Sequence, residues 1–190
     1  VLTRMIQSEG EPLSAVELAE NCVFLLNAGH ETTTNLIGNT IELFMRFRSS
    51  RAQLIADPEL LRTALEEVLR YESSNQLGNR LTTRDVTIGG EAVAAGTFVT
   101  LCIGAANRDP AAFENAEDFD IARNPNRHLA FAAGAHQCAG MNLARMEARI
   151  ALAAFLKRFP DYSLDGKPTR SRRARFRGFT AMPVVLRPRN

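Results

Sequence analysis

A mainly α fold with small β elements is what this sequence predicts, on three observations. Two long stretches, residues 14–47 and 139–159, carry helical patterning with helix punctuation at their ends. Between them, residues 80–99 switch to short β-rich pieces broken at Gly89-Gly90 and Ala95-Gly96. No internal repeat or low-complexity linker divides the 190 residues, so residues 1–190 read as a single unit around one core.

The first long helix starts at Ser14. Ser14 is placed to cap it, and Glu17, three residues on, completes a capping box. A helix over residues 14–47 would be about 50 Å long. Its centre, Asn27-Ala28-Gly29-His30-Glu31-Thr32-Thr33-Thr34-Asn35, is poor helix sequence, with a glycine and three consecutive β-branched residues. A locally weak centre between strong flanks marks a functional or kinked segment. Phe24, Leu25, Leu36, Ile37, Leu43 and Phe44 are too many apolar residues for one face. A second helix is expected from Asp57 or Pro58 to Glu72, with Asp57 capping and Pro58 at the first position. A short helix follows the β-rich region near residues 101–106. Residues 107–127 are irregular, with turn signals at Asp109-Pro110 and Asn124-Pro125. The last long helix stops at Pro160, and short strands lead to the C-terminus, Met182-Pro183-Val184-Val185-Leu186 being the most strand-like.

Composition narrows the function classes. Hydrophobic residues are 45% and charged residues 23%, ordinary for a globular protein. No run of 18 apolar residues occurs, so no membrane span is expected. The opening Val1-Leu2-Thr3-Arg4-Met5 is not a secretory leader. Three scattered cysteines, Cys22, Cys102 and Cys138, do not make a disulfide framework, and a cytoplasmic location is the expectation. Net charge is +2, but residues 167–177 hold six bases and no acid. That segment reads first as a solvated loop. With only Phe176 and Phe179 near it for stacking, nucleic acid is not an expected partner.

Cys138 is the most informative residue. It ends the loop Phe131-Ala132-Ala133-Gly134-Ala135-His136-Gln137-Cys138-Ala139-Gly140, just before the last long helix. A helix N-terminus favours thiolate over thiol. With small neighbours, that suits an axial haem ligand better than a disulfide or zinc. No C-x-x-C or H-x-x-x-H spacing accompanies His128, His136 and Cys138, which argues against a tetrahedral zinc site. Cys22 and Cys102 read as core, and His30 as a satisfied side chain. In the weak centre of the first helix, Ala28 and Thr32 share a face, as do Gly29 and Thr32. Small residues there let a flat ligand approach, and Glu31 with Thr32 offers a carboxylate and a hydroxyl for proton transfer. Glu67 and Arg70, three apart on the second helix, can pair.

The cysteine loop resembles that of the cytochromes P450, F-x-x-G-x-H/R-x-C-x-G, through Phe131, Gly134, His136, Cys138 and Gly140. Ala132 stands where that family usually has glycine. Ala28-Gly29-His30-Glu31-Thr32-Thr33 resembles the family's oxygen-binding helix, A-G-x-D/E-T-T. Glu67-Val68-Leu69-Arg70 resembles its E-x-x-R motif, and Phe119-Asp120-Ile121-Ala122-Arg123 its meander. The resemblance covers nearly the whole chain in one order, as the C-terminal half of the soluble bacterial-type P450 fold. The family's N-terminal half is absent from this sequence, through natural truncation or as a fragment of a longer reading frame.

The resemblance implies haem b (iron protoporphyrin IX) ligated by Cys138, with O₂ beside Ala28, Gly29 and Thr32, and protons delivered through Glu31 and Thr32. It implies haem propionates paired with Arg80 and His136, with Arg84 solvated. A structural cluster of Glu67, Arg70 and Arg123 would support the cysteine loop. One oxygen atom would enter an apolar organic substrate, beside residues 74–77 and 178–180. Ser73-Ser74-Asn75 stands where the family often has proline. Electrons would come indirectly from NAD(P)H through a ferredoxin-type donor docking near Arg127, Arg145 and Arg149. Two rival readings are a truncated non-catalytic fragment with no or weak haem binding, and a peroxide-driven peroxygenase, against which the Glu31–Thr32 pair speaks. An isolated chain of this kind is expected to be oligomeric or helix-swapped.

Overall fold

The computed structural model describes residues 2–7 and 12–188. A short helix, α1 (Leu2–Ile6), precedes the long α2 (Ala15–Arg46). Ser14 caps α2 as its sequence requires: the Glu17 N–H donates to the Ser14 hydroxyl, and the Ser14 N–H donates to the Glu17 carboxylate at 2.9 Å. The weak centre does not interrupt the helix, which runs unbroken through Gly29 and the three threonines. The hydroxyls of Thr32, Thr34 and Thr40 each donate to the carbonyl four residues back.

The sequence did not foretell α3 (Arg48–Ala56), which follows α2 after a one-residue break at Phe47. Asp57 then caps a 3₁₀ turn, Pro58–Leu60, that feeds α4 (Leu61–Tyr71). Strand β1 (Leu77–Leu81) pairs antiparallel with β4 (Phe98–Cys102). Between them lies the hairpin of β2 (Val86–Ile88) and β3 (Glu91–Val93). Its two-residue turn has Gly89 and Gly90 both at positive φ, which the hairpin's twist requires. Helix α5 (Ile103–Ala106) opens an irregular stretch, and α6 (Met141–Arg158) begins three residues beyond Cys138. Two small antiparallel pairs close the chain: β5 (Asp161–Leu164) with β8 (Val184–Arg187), and β6 (Thr169–Arg170) with β7 (Phe179–Ala181).

The core forms where the second half of α2 meets α4 and α6. Leu36, Leu43 and Phe44 pack with Leu54, Leu65, Val68, Leu69, Ala148, Leu152 and Tyr162, under a lid of Phe119 and Ile121. Two corrections concern residues expected inside, Cys102 and Cys22. Cys102 is exposed because it ends β4 on the open face of a two-stranded sheet; Cys22 is only half-buried, and His30 is exposed. The exposed stretch of α2 that carries both residues has little packed against it.

Candidate haem-thiolate site

The site rests on a buried ionic foundation. Glu67 and Arg70 are fully buried and paired in a bidentate fork, Nε and Nη2 each 2.8 Å from a carboxylate oxygen. The remaining Arg70 donors go to the carbonyls of Asn107, Ala116 and Asp118. Glu67 also accepts from Arg123 Nε, the Asp120 N–H and the Asn126 side chain. Every charge in this cluster is met by hydrogen bonds, which a buried ion pair needs in order to persist. The structure therefore brings Glu67, Arg70 and Arg123 together, and with them the irregular segment that leads to the cysteine loop.

A second network, not foreseen from sequence, ties that loop to α4 and α6. Glu66 accepts from both Nε and Nη2 of Arg145 at 2.7 Å, and lies 3.0 Å from Nε2 of His128. His128 Nδ1 accepts the Ala130 N–H, so Nε2 carries the proton donated to Glu66. Burial works to raise the Glu66 carboxyl. The hydrogen bonds and charges of His128 and Arg145 outweigh it and bring the pKa down to about 2. Arg145 also lies over the Phe131 ring at 4.6 Å. Its pKa is raised, chiefly by its hydrogen bonds to Glu66 and then by the Glu66 charge, against the effect of burial. Arg145 is thus committed within the molecule rather than free for an electron donor. Arg127 and Arg149 are exposed and have no acidic partner among the described residues. Asn107 was missed too: fully buried, it accepts the Leu129 N–H and donates to the Ser73 hydroxyl. A lone buried asparagine in an irregular segment gives no periodic signal.

On this base sits the loop. The Cys138 N–H donates to the Phe131 carbonyl at 2.9 Å, closing it, and Gly134–His136 forms one 3₁₀ turn inside. Gly134 has positive φ, as does Ala132 at 56°. A left-handed conformation costs an L-residue roughly 1–2 kcal/mol, so Ala132 carries strain that glycine would not. The Cys138 thiol is free and exposed. A Cβ built on Gly134 or on Gly29 would meet nothing within 4 Å, and one on Gly140 would meet only the Cys138 sulfur, at 4.0 Å. His136 is exposed, and Arg80 donates to the Asn79 carbonyl at 2.8 Å from its place opposite Val99.

The Thr32 hydroxyl donates to the Ala28 carbonyl at 2.8 Å, leaving its lone pairs free. Glu31 is ion-paired to Arg173 through both terminal guanidinium nitrogens, Nη1 lying 3.1 Å from Oε2. This pairing joins residues 142 apart in sequence, beyond the reach of any local pattern. The strap that carries Arg173 crosses α2 closely: a Cβ at Gly178 would overlap the Asn35 side chain.

The family model for cytochrome P450 matches residues 42–177. The chain belongs to the cytochrome P450 family. It is 42% identical over 179 residues to the biotin biosynthesis cytochrome P450 of Bacillus subtilis, covering 94% of this chain and 45% of that P450. It is 42% identical over 154 residues to the 20-oxo-5-O-mycaminosyltylactone 23-monooxygenase of Streptomyces fradiae, covering 81% of this chain and 37% of that enzyme. The crystal structure of P450BioI in complex with hexadec-9Z-enoic acid ligated acyl carrier protein superposes with a TM-score of 0.90 at 37% identity, covering 98% of this chain and 51% of that one. The chain thus spans less than half the length of the two relatives named.

Haem is the cofactor this family implies, and the donor set fits it. One unpartnered, exposed sulfur lies on a glycine- and alanine-lined loop, with no bulky side chain against its glycines. No helix among the described residues is long and apolar enough to cross a membrane.

Proposed function

We propose that this chain is the haem-thiolate portion of a P450 monooxygenase that inserts one oxygen atom from O₂ into an apolar organic substrate. The free, exposed thiol of Cys138, on a loop footed in the buried Glu67–Arg70 network, carries the reading. Haem b, held by Cys138 with Arg80 and His136 at its propionates, supplies the redox chemistry when bound, and a thiolate ligand favours O–O cleavage. The chain's own residues do the rest. Phe131, Gly134 and Gly140 would border the cofactor beside Cys138, and Ala28 and Gly29 would leave room for it on the α2 side. Thr32 holds a hydroxyl with open lone pairs, and Glu31 stands beside it to move protons from water. Arg173 holds Glu31 between turnovers, so Glu31 must exchange that partner to take part.

Electrons come from NAD(P)H through a ferredoxin-type donor at the exposed Arg127 and Arg149. The fatty acid in the P450BioI complex supports an apolar substrate for this chain, beside residues 74–77 and 178–180. Three free cysteines suit a cytoplasmic setting.

The open first half of α2 favours a second reading, a chain that takes up haem weakly and does not turn over by itself. One experiment separates the two. The chain is loaded with haem, reduced and exposed to carbon monoxide. A strongly red-shifted Soret band, abolished by Cys138→Ala, supports the first reading. Failure to take up haem assigns the isolated chain to the second.

A further inference from the structure

Six bases in residues 167–177 invite the reading of a solvated loop, but the segment is neither loose nor uniformly neutralised. Its backbone is fixed on both sides. The Gln76 N–H donates to the Arg175 carbonyl, the Arg177 N–H to Ser74, and the Ser171 N–H to Gly178, all within 3.0 Å. Asn75 and Phe176 form an antiparallel bridge. Three of the bases have carboxylates: Arg170 meets Glu42 and Glu72, Arg173 meets Glu31, and Arg177 meets Glu72 at 2.7 Å. Arg172 has no acidic partner among the described residues, and it lines a surface cavity of about 500 Å³. No carboxylate side chain lines that cavity.

The two walls differ in chemistry. Beside the Arg172 guanidinium stands Ser171, whose oxygen accepts from Arg173 and whose hydrogen is free to donate. Opposite are Leu77, Cys102 and Ala105, which offer no charge. The Gln76 side-chain N–H₂ is already donated to the Ser73 carbonyl at 2.6 Å. A planar fork of N–H donors matches a carboxylate or a phosphate bidentately. An apolar wall across from it is covered only if the anion carries an organic body. A cavity of this size is in the range of small-molecule sites.

We propose that the cavity between this strap and the β1–β4 sheet binds the carboxylate end of an organic anion, with Arg172 and Ser171 as its donors. Because Gln76 and Leu77 belong both to the cavity wall and to the stretch given to substrate above, this seat selects acidic substrates. That use rests on the monooxygenase reading; the binding itself does not.

The test is equilibrium dialysis of the full 190-residue chain against decanoate, decanol and inorganic phosphate, which tolerates any oligomeric state. Decanoate is expected to bind more tightly than decanol or phosphate. Arg172→Gln should weaken decanoate about tenfold, the loss of a charge-assisted pair, while leaving decanol unchanged. Arg84→Gln, which removes an exposed arginine that does not line the cavity, should have no effect. Equal binding of decanoate and decanol, or equal effects of the two variants, overturns the seat. Phosphate binding as tightly as decanoate overturns the organic-anion assignment. The same samples, loaded with haem, are then read for the carbonyl Soret band. Retained decanoate binding without that band sinks the proposed function and leaves the seat standing.

Discussion

The two halves of α2 share one helix, and the first is the richer in apolar residues, yet it is the second that is buried. In the first half Val23, Phe24 and Leu26 are each 59–70% exposed, and only Leu18 and Cys22 are even half-covered. In the second, Leu36, Leu43 and Phe44 are at most 2% exposed against α4 and α6. The helix continues across the boundary at Glu31 because its backbone hydrogen bonds are local and its N-terminus is capped. Burial changes there because packing partners exist for one half alone. The exposed half carries Ala28 and Gly29, and the junction carries Glu31 and Thr32. The candidate site thus sits where the packed framework ends, the arrangement a bound cofactor needs if it is to reach the helix.

The largest test of this contrast compares two phenylalanines. Phe44→Ala should cost about 3–5 kcal/mol through lost burial and a cavity. Phe24→Ala should change urea stability by less than about 0.5 kcal/mol in the dilute, unassociated chain. Equal losses would mean that the first half is covered in solution. Next in size is acid. Glu66 has its pKa held near 2 against an ordinary 4.5, so its stabilisation is complete above about pH 4.5 and is lost as pH falls from there toward 2. Replacing Glu66 with glutamine should flatten the stability profile across that window, measured by urea melts at a series of pH values. An unchanged profile would break the claim that Glu66 staples α4 to α6 and to the cysteine loop.

The smallest effect on stability has a visible consequence for assembly. A contiguous apolar surface on the first half of α2 drives self-association, and we propose that the chain alone is an oligomer or swaps this helix with a second copy. Phe24→Ser should shift its sedimentation toward smaller species and remove any dependence of the urea midpoint on protein concentration. A wild-type chain that sediments as a compact monomer at every concentration ends the proposal.

Much of the local structure was legible in the chain. Ser14 and Glu17 start α2, Asp57 and Pro58 start the turn into α4, and Gly89-Gly90 makes a hairpin. Each is a contact between residues two to four apart, where side-chain type decides the geometry. Helix α3 was not legible. Arg48-Ser49-Ser50-Arg51-Ala52-Gln53-Leu54 has no apolar stripe, since Leu54 is its one buried residue, and its separation from α2 rests on the backbone of Phe47 alone. The Glu66–Arg145–His128 network, the Arg173–Glu31 pair and the exposure of Cys102 were hidden too. They join residues far apart, or depend on what fails to cover a strand end, and no periodicity reports either.

By itself the sequence determined where helices start and turns fall, and it set one cysteine in a small-residue loop before a helix, because those features depend on short-range sterics and hydrogen bonding. Only the tertiary structure decided which half of α2 is buried, which carboxylate fixes which arginine, and that Arg172, unlike Arg170, Arg173 and Arg177 around the same cavity, has no carboxylate partner among the described residues. Those outcomes depend on solvent exclusion and on charges meeting across the fold, which exist only once distant segments have packed.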